Sequence, residues 1–328
     1  MNYFQENYHS VKKIFSQSLS SYTRAKQALE TRIEELIKPY LQSYTSGQII
    51  NQKEIRVIGM RRTGNHAIIH WIKEQISGEV WFLNNIVTKD NPYSYKCQEY
   101  QRLQNYYHKM KNQKKYQHFK QLVKLYQKER KGYFSLKDCL IYSYEDYCLK
   151  EITSHYFEKK HDLYLGKTFK QFDIIILRDP FNLIASRFKK GEEFLSVKVQ
   201  QQTIVDLWLS YAKEFLGETN YLNHNKLCIN YNKWLKDINY RQEISSHLEL
   251  KFSDAGLNQV NNYAKGSSFD GLDFNQSANK MDLEKRWKFF QNDANYKQIL
   301  NNEELWAYSE KIFGYIPGIE KLKNLVMG

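Results

Sequence analysis

The chain has 328 residues, 41% of them hydrophobic and 15% aromatic, and a formal net charge of +13. That length suits one large α/β domain or two modest ones, and four prolines are too few for a linker-rich array. No run approaches the roughly 20 apolar residues needed to cross a bilayer, so a soluble protein is expected.

The N-terminal stretch MNYFQENYHSVKK has no uninterrupted apolar core and no cleavage site, so a secretory signal is not expected. Cys97, Cys139, Cys148 and Cys228 form no CxxC pair or other metal-ligand spacing. Free thiols in a reducing cytoplasm follow as the simplest expectation. The positive charge is local: between Arg102 and Lys131 stand ten Lys or Arg residues and one acid, Glu129. A surface built to coat nucleic acid would spread its charge more evenly.

In chain order, Phe4, Tyr8, Val11, Phe15, Tyr22, Leu29, Ile33, Leu36 and Tyr40 fall largely at helical spacing. They predict a helical extension over residues 1–50, ended by Pro39 and the SYTSGQ stretch. Such an extension could pack on the chain or a partner, or serve a membrane surface or coiled coil. Residues 54–58 (EIRVI) predict a strand, 65–76 a helix, and 79–83 (EVWFL) a second strand ending at Asn84 and Asn85. A basic insert over about 93–133 interrupts the alternation, and Phe119, Leu122, Val123 and Tyr126 give it a helical stripe. Strands follow at 140–144 (LIYSY), 173–177 (DIIIL) and 227–230 (LCIN), with helices near 180–189 and 203–216. Apolar strands alternating with helices predict an α/β fold over 51–328, a mainly parallel sheet covered on both faces.

Two stretches carry chemistry. In VIGMRRTGNHAIIHWI a strand runs into Gly59, and Gly64 opens a helix. Glycines at these places let backbone N–H groups turn toward one anion, and the helix N-terminus adds positive potential. Arg61 and Arg62 supply permanent charge, in a planar fork suited to phosphate or sulfonate. A nucleotide kinase would carry Lys and Ser or Thr after the second glycine to hold phosphates and Mg²⁺; Asn65 and His66 stand there instead. In DIIILRDPFNLIASRF a strand delivers Arg178 to the ligand edge of the sheet, and Ser186 follows eight residues on along a helix started by Pro180.

Together these stretches resemble the PAPS-dependent sulfotransferases, PAPS being 3′-phosphoadenosine 5′-phosphosulfate. The resemblance spans about residues 55–269 and is sharp at the two motifs. It implies a P-loop-type sheet and a site in which Gly59, Arg61, Arg62, Thr63, Gly64, Asn65 and His66 cradle the phosphosulfate. It also implies that Arg178 and Ser186 hold the 3′-phosphate. The stretch YAKGSSF, with Lys265, Gly266 and Ser267, is similar to the loop that closes over that phosphate. Arg62 stands where the family has lysine, and Asn65 and His66 where it has hydroxyl residues. The implied reaction moves a sulfuryl group to an acceptor hydroxyl or amine, expected on a carbohydrate or glycoconjugate, and needs no metal.

Arg62 is then the expected stabiliser of developing negative charge. Three groups are candidates for the proton acceptor: Glu145 and Asp146, just after LIYSY, and His66, where a helix N-terminus favours neutral imidazole. Glu145 is preferred. His66 and His70 are four apart, yet no HExxH glutamate accompanies them, so no metal site is expected. The basic insert, with Tyr106, Tyr107, Tyr116 and Tyr126, could meet an acidic sugar acceptor. Asn84 and Asn85 could bind the acceptor or form a turn. Arg286 and Trp287 could be a core anchor or a late contact, and no role is assigned to them. Two other classes compete: a P-loop kinase, which would need ATP and Mg²⁺, and a non-catalytic RNA- or polyanion-binding protein.

Overall fold

The computed structural model describes residues 47–87, 91–191, 196–197, 202–259, 269–270, 273, 277 and 281–327. The helix expected over the first 45 residues, and Lys265, Gly266 and Ser267, lie outside the described residues. Five strands form one sheet: β1 (Asn51–Gly59), β2 (Val80–Leu83), β3 (Lys137–Glu145), β4 (Thr168–Leu177) and β5 (Leu227–Asn230). Their spatial order is β2-β3-β1-β4-β5, and every pairing is parallel. The expected α/β sheet is therefore present. β1 sits at its centre, so the Gly59 turn emerges mid-sheet, where a parallel sheet collects ligands.

Side chains alternate between two buried faces, as a period of two requires. Ile55, Val57, Ile141, Ile174 and Ile176 face one core, which α1 (Asn65–Lys73) fills with Ile68, Ile69, Trp71 and Ile72. Ile58, Leu140, Tyr142, Tyr144, Ile175 and Leu177 face the other. That face is covered by the basic insert, α2 (Pro92–Lys109) and α3 (Gln113–Arg130), and by α6 (Pro180–Phe188) and α7 (Ile204–Phe215). Between β3 and β4 lie α4 (Leu149–Ile152) and α5 (His155–Leu165), neither expected from the sequence. After β5 come α8 (Tyr231–Lys236), α9 (Ile238–His247), a 3₁₀ turn (Arg286–Phe289), α10 (Ala294–Leu300), α11 (Glu303–Phe313) and α12 (Ile319–Met327). Among the described residues no helix is long and apolar enough to cross a membrane.

β1 carries charges that the apolar reading of EIRVI passes over. Arg56 donates to both oxygens of Asp173, at 2.7 and 2.9 Å, and the two residues are register partners across β1 and β4. Burial alone would raise Asp173, but His224 and Arg56 pull it down to about 2. The insert is helical, as a pair of helices. Lys111, with φ 53°, breaks the run, and Asn112 caps α3 by accepting from the Lys115 amide at 3.1 Å.

Candidate active site

The loop after β1 has the backbone of an anion cradle. Arg62 has φ 73° and Gly64 φ 102°, a sequence of left-handed residues that turns N–H groups inward. Gly64 has no substitute, because a Cβ would overlap the Tyr231 ring. A Cβ at Gly59 would overlap the Asn65 amide. Gly64 is also the N-cap of α1, and no side chain caps that helix. Thr63 Oγ1 and Asn65 Oδ1 are buried with no hydrogen-bond partner among the described residues; the Thr63 hydroxyl can donate to an anion, whereas the Asn65 carbonyl oxygen packs against Gly59.

Asp146 anchors this loop. It is fully buried and accepts from Arg187 Nη1 at 2.8 Å and Nη2 at 3.1 Å, from the Arg61 amide at 3.0 Å, and from Arg61 Nε. Burial would raise its carboxyl, but Arg187 and Arg61 hold it below the usual carboxylate range. Its charge and that of Arg61 are thus spent on loop geometry. Arg61 and Arg187 further donate to the Ser196 carbonyl, at 2.7 and 3.0 Å.

Glu145 lies beside the loop because parallel register sets it opposite Gly59. Its Oε1 accepts from Asn65 Nδ2 at 3.1 Å and lies 3.9 Å from His66 Nε2. Burial, with Arg62 and Lys96 as nearby cations, lowers His66 below an ordinary imidazole, against the pull of Glu145. His66 also meets the Phe82 ring edge-on, so this side of the cradle faces β2 and the root of the insert. Asn84 and Asn85 are tied to β3, Asn84 Oδ1 accepting from Ser143 Oγ at 3.3 Å. The Asn85 amide donates to Ser143 Oγ at 2.8 Å, and Asn85 Oδ1 accepts from the Glu145 amide at 3.3 Å.

On the β4 side, Arg178 is 3% exposed and joins the two motifs. Its Nη1 donates to the Arg62 carbonyl at 3.3 Å and to Ser186 Oγ at 3.2 Å. Ser186 Oγ also accepts from Arg286 Nη1 at 3.2 Å. Arg286 pairs with Asp270 at 3.1 Å, and its guanidinium lies 4.9 Å from the centre of the Phe269 ring. Phe269 is the last residue of the YAKGSSF stretch, so the described end of that stretch reaches this cluster. Burial first, then Arg178, pushes Arg286 down to about 10. Burial and Arg178 likewise lower Arg62. The Arg178 charge thus acts on both Arg62 and Arg286, concentrating positive potential where an anion would be favoured.

The sequence-expected residues Arg62, Thr63, Asn65, His66, Glu145, Arg178 and Ser186 thus come together at one edge of the sheet. Arg187, Tyr231 and Lys96 join them without having been singled out, as does Arg286, which the sequence left without a role. No local pattern marks these four, because each reaches the site through tertiary packing.

No protein-family model and no curated protein matches the chain. Among solved structures, the sulfotransferase domain from the curacin biosynthetic pathway is similar, at 13% identity and a TM-score of 0.46, over 80% of this chain and 98% of that one. Mouse sulfotransferase SULT7A1, solved with PAP, is similar at 11% identity and a TM-score of 0.42, over 84% of this chain and 90% of that one.

Proposed function

We propose that the protein is a PAPS-dependent sulfotransferase that moves a sulfuryl group to an acceptor hydroxyl or amine. One observation carries this reading: a single buried guanidinium, Arg178, bonds both the Gly59–Gly64 loop and the Ser186–Arg286 cluster. Two anion positions joined in this way suit a nucleotide charged at both its 5′ and 3′ positions. The unsatisfied Thr63 hydroxyl, which can donate to an anion, and the depression of Arg62 and Arg286 by burial and by Arg178 fit such a ligand.

In this reading the amides of Thr63 to His66 and the Arg62 guanidinium hold the phosphosulfate end. Arg178, Ser186 and Arg286 hold the 3′-phosphate. The bound donor supplies the activated sulfuryl group. Arg62 and the loop amides take up negative charge as the leaving oxygen departs, about 3–4 kcal/mol for one well-placed donor. Glu145, facing β2, accepts the acceptor's proton, and Asn65 fixes its carboxylate through the 3.1 Å bond. His66 is the second candidate for that role, since burial keeps it neutral and able to accept a proton. The acceptor enters from the β2 side, beside the basic insert, whose local excess of Lys and Arg favours an acidic carbohydrate or glycoconjugate.

Thermal denaturation with 3′,5′-phosphoadenosine tests the donor. Without metal, a concentration of 100 times Kd should stabilise the fold by about 2.7 kcal/mol, and ATP with Mg²⁺ should not. Stabilisation by ATP with Mg²⁺ alone would support the kinase class instead, and dominant stabilisation by RNA the binding-module class.

A further inference from the structure

The basic insert is a lever with a fixed root and a bare tip. At the root, Lys137 Nζ bonds Glu129 Oε2 at 2.8 Å with both side chains buried, and Asn91 Nδ2 donates to the Arg130 carbonyl at 3.2 Å. Trp81, Tyr93 and Tyr126 interlock there, with ring centres 5.0 to 6.2 Å apart. Near the end of the first helix, Tyr107 stacks on Phe119 at 5.4 Å and 3°, which ties the two helices together. Each helix has 18 residues, so the hairpin is about 27 Å long.

The tip differs from a merely solvated face in two ways. No acid occurs between Glu99 and Glu129 in the sequence. Among the described residues, Lys109, Lys111, Lys114 and Lys115 have no carboxylate partner, and all four are exposed. Amid these cations, Met110 is 61% and Tyr106 53% exposed. Stacking on a polysaccharide would need several open ring faces. Tyr126 is instead buried, Tyr107 is covered by Phe119, and Tyr116 lies against His108. Tyr106, held edge-on to Tyr107 yet still exposed, and the Met110 thioether, both in a lysine-rich stretch, match a different occupant.

We propose that the hairpin tip docks on an anionic phospholipid surface. Met110 and Tyr106 enter the headgroup layer while the four lysines meet lipid phosphates and carboxylates. This inference stands apart from the sulfotransferase reading, because it concerns binding in the absence of any donor nucleotide.

Sedimentation of the full chain with vesicles tests it. Vesicles of phosphatidylcholine mixed with phosphatidylserine should bind the protein, and vesicles of phosphatidylcholine alone should not. The variant K109E/K111E/K114E/K115E should lose at least about 100-fold in affinity, while circular dichroism and melting temperature stay those of the wild type. Replacing Met110 and Tyr106 by Ser should weaken binding and leave its salt dependence unchanged. Three results would overturn the proposal: no binding to the mixed vesicles, equal binding by the charge-reversed variant, or preference for a soluble anionic polysaccharide over vesicles.

Discussion

Arg178 and Arg286 each place an Nη1 atom 3.2 Å from one hydroxyl, Ser186 Oγ, from positions 8 and 100 residues away in the chain. Ser186 in turn donates to the Asn182 carbonyl at 2.7 Å, so its lone pairs are aimed at the two guanidiniums. Like charges meeting on a neutral oxygen favour whatever anion can bridge them. Arg286→Met should therefore weaken 3′,5′-phosphoadenosine by about 10- to 100-fold, the range expected for a charge-assisted hydrogen bond. Calorimetric titration measures this, and Ser186→Ala should follow with a smaller loss. Unchanged affinity in Arg286→Met would remove Arg286 from the site.

Asp146 and Arg187 are both fully buried, and the pair fixes where the phosphate loop begins. Asp146→Asn should cost about 3–5 kcal/mol in denaturant unfolding, because it leaves Arg187 as an unmatched buried charge. Nucleotide binding should fall as well, since Arg61 loses its tether. The sign with pH follows from the lowered carboxyl. The contribution of Asp146 is complete above pH about 4 and disappears as pH falls through its folded-state value. Acid unfolding of the variant should accordingly be shallower than that of the wild type.

Glu145 and His66 lie close enough that kinetics must separate them. If Glu145 accepts the proton, Glu145→Gln should lower kcat by about 10²- to 10⁴-fold and leave nucleotide affinity near the wild-type value. If His66 accepts it, the acid limb of the kcat/KM profile lies below pH about 6.5, because burial lowers the imidazole, and it vanishes in His66→Gln. Wild-type turnover in Glu145→Gln would reject its assignment.

The strands and both motifs were legible because each is local. DIIIL and EIRVI announce buried strands, and the glycines mark the turn that follows. Parallel register then brings Glu145 beside Gly59, which explains why a residue just past a strand could be picked from the sequence. Charge partnership was not legible. Asp146 and Glu145 are neighbours with the same local signal, yet one faces Arg61 and Arg187 and the other faces Asn65 and His66. Only tertiary packing separates an anchor from a candidate base. Arg286 escaped for a related reason: it sits in a 3₁₀ turn with no strand behind it, and its meeting with Ser186 is entirely long-range.

Away from the site, His161 and Glu54 form a buried pair under the central strand, and it sets how stability varies above neutral pH. His161 Nε2 lies 2.8 and 2.9 Å from the two Glu54 oxygens, which also accept from Tyr142 at 2.8 Å and Thr168 at 2.7 Å. Asp162, at 2.8 Å from Nδ1, and Gln171, at 3.1 Å from Nε2, complete the surroundings of the ring. Burial alone would lower His161, but the Glu54 charge outweighs it and raises the imidazole to about 10. The folded value exceeds the unfolded one, so this stabilisation is complete below pH about 6.5 and is lost as pH rises toward 10. Thermal melts between pH 7 and 10 should show falling stability. His161→Gln should flatten that slope and cost about 3–5 kcal/mol at pH 7, since Glu54 would keep its charge without a counter-ion. Adding Glu54→Gln removes the stranded charge, so the double variant should be more stable than His161→Gln alone. A double variant no better than the single one would mean that the pair carries little coupling, and that the alkaline slope arises elsewhere.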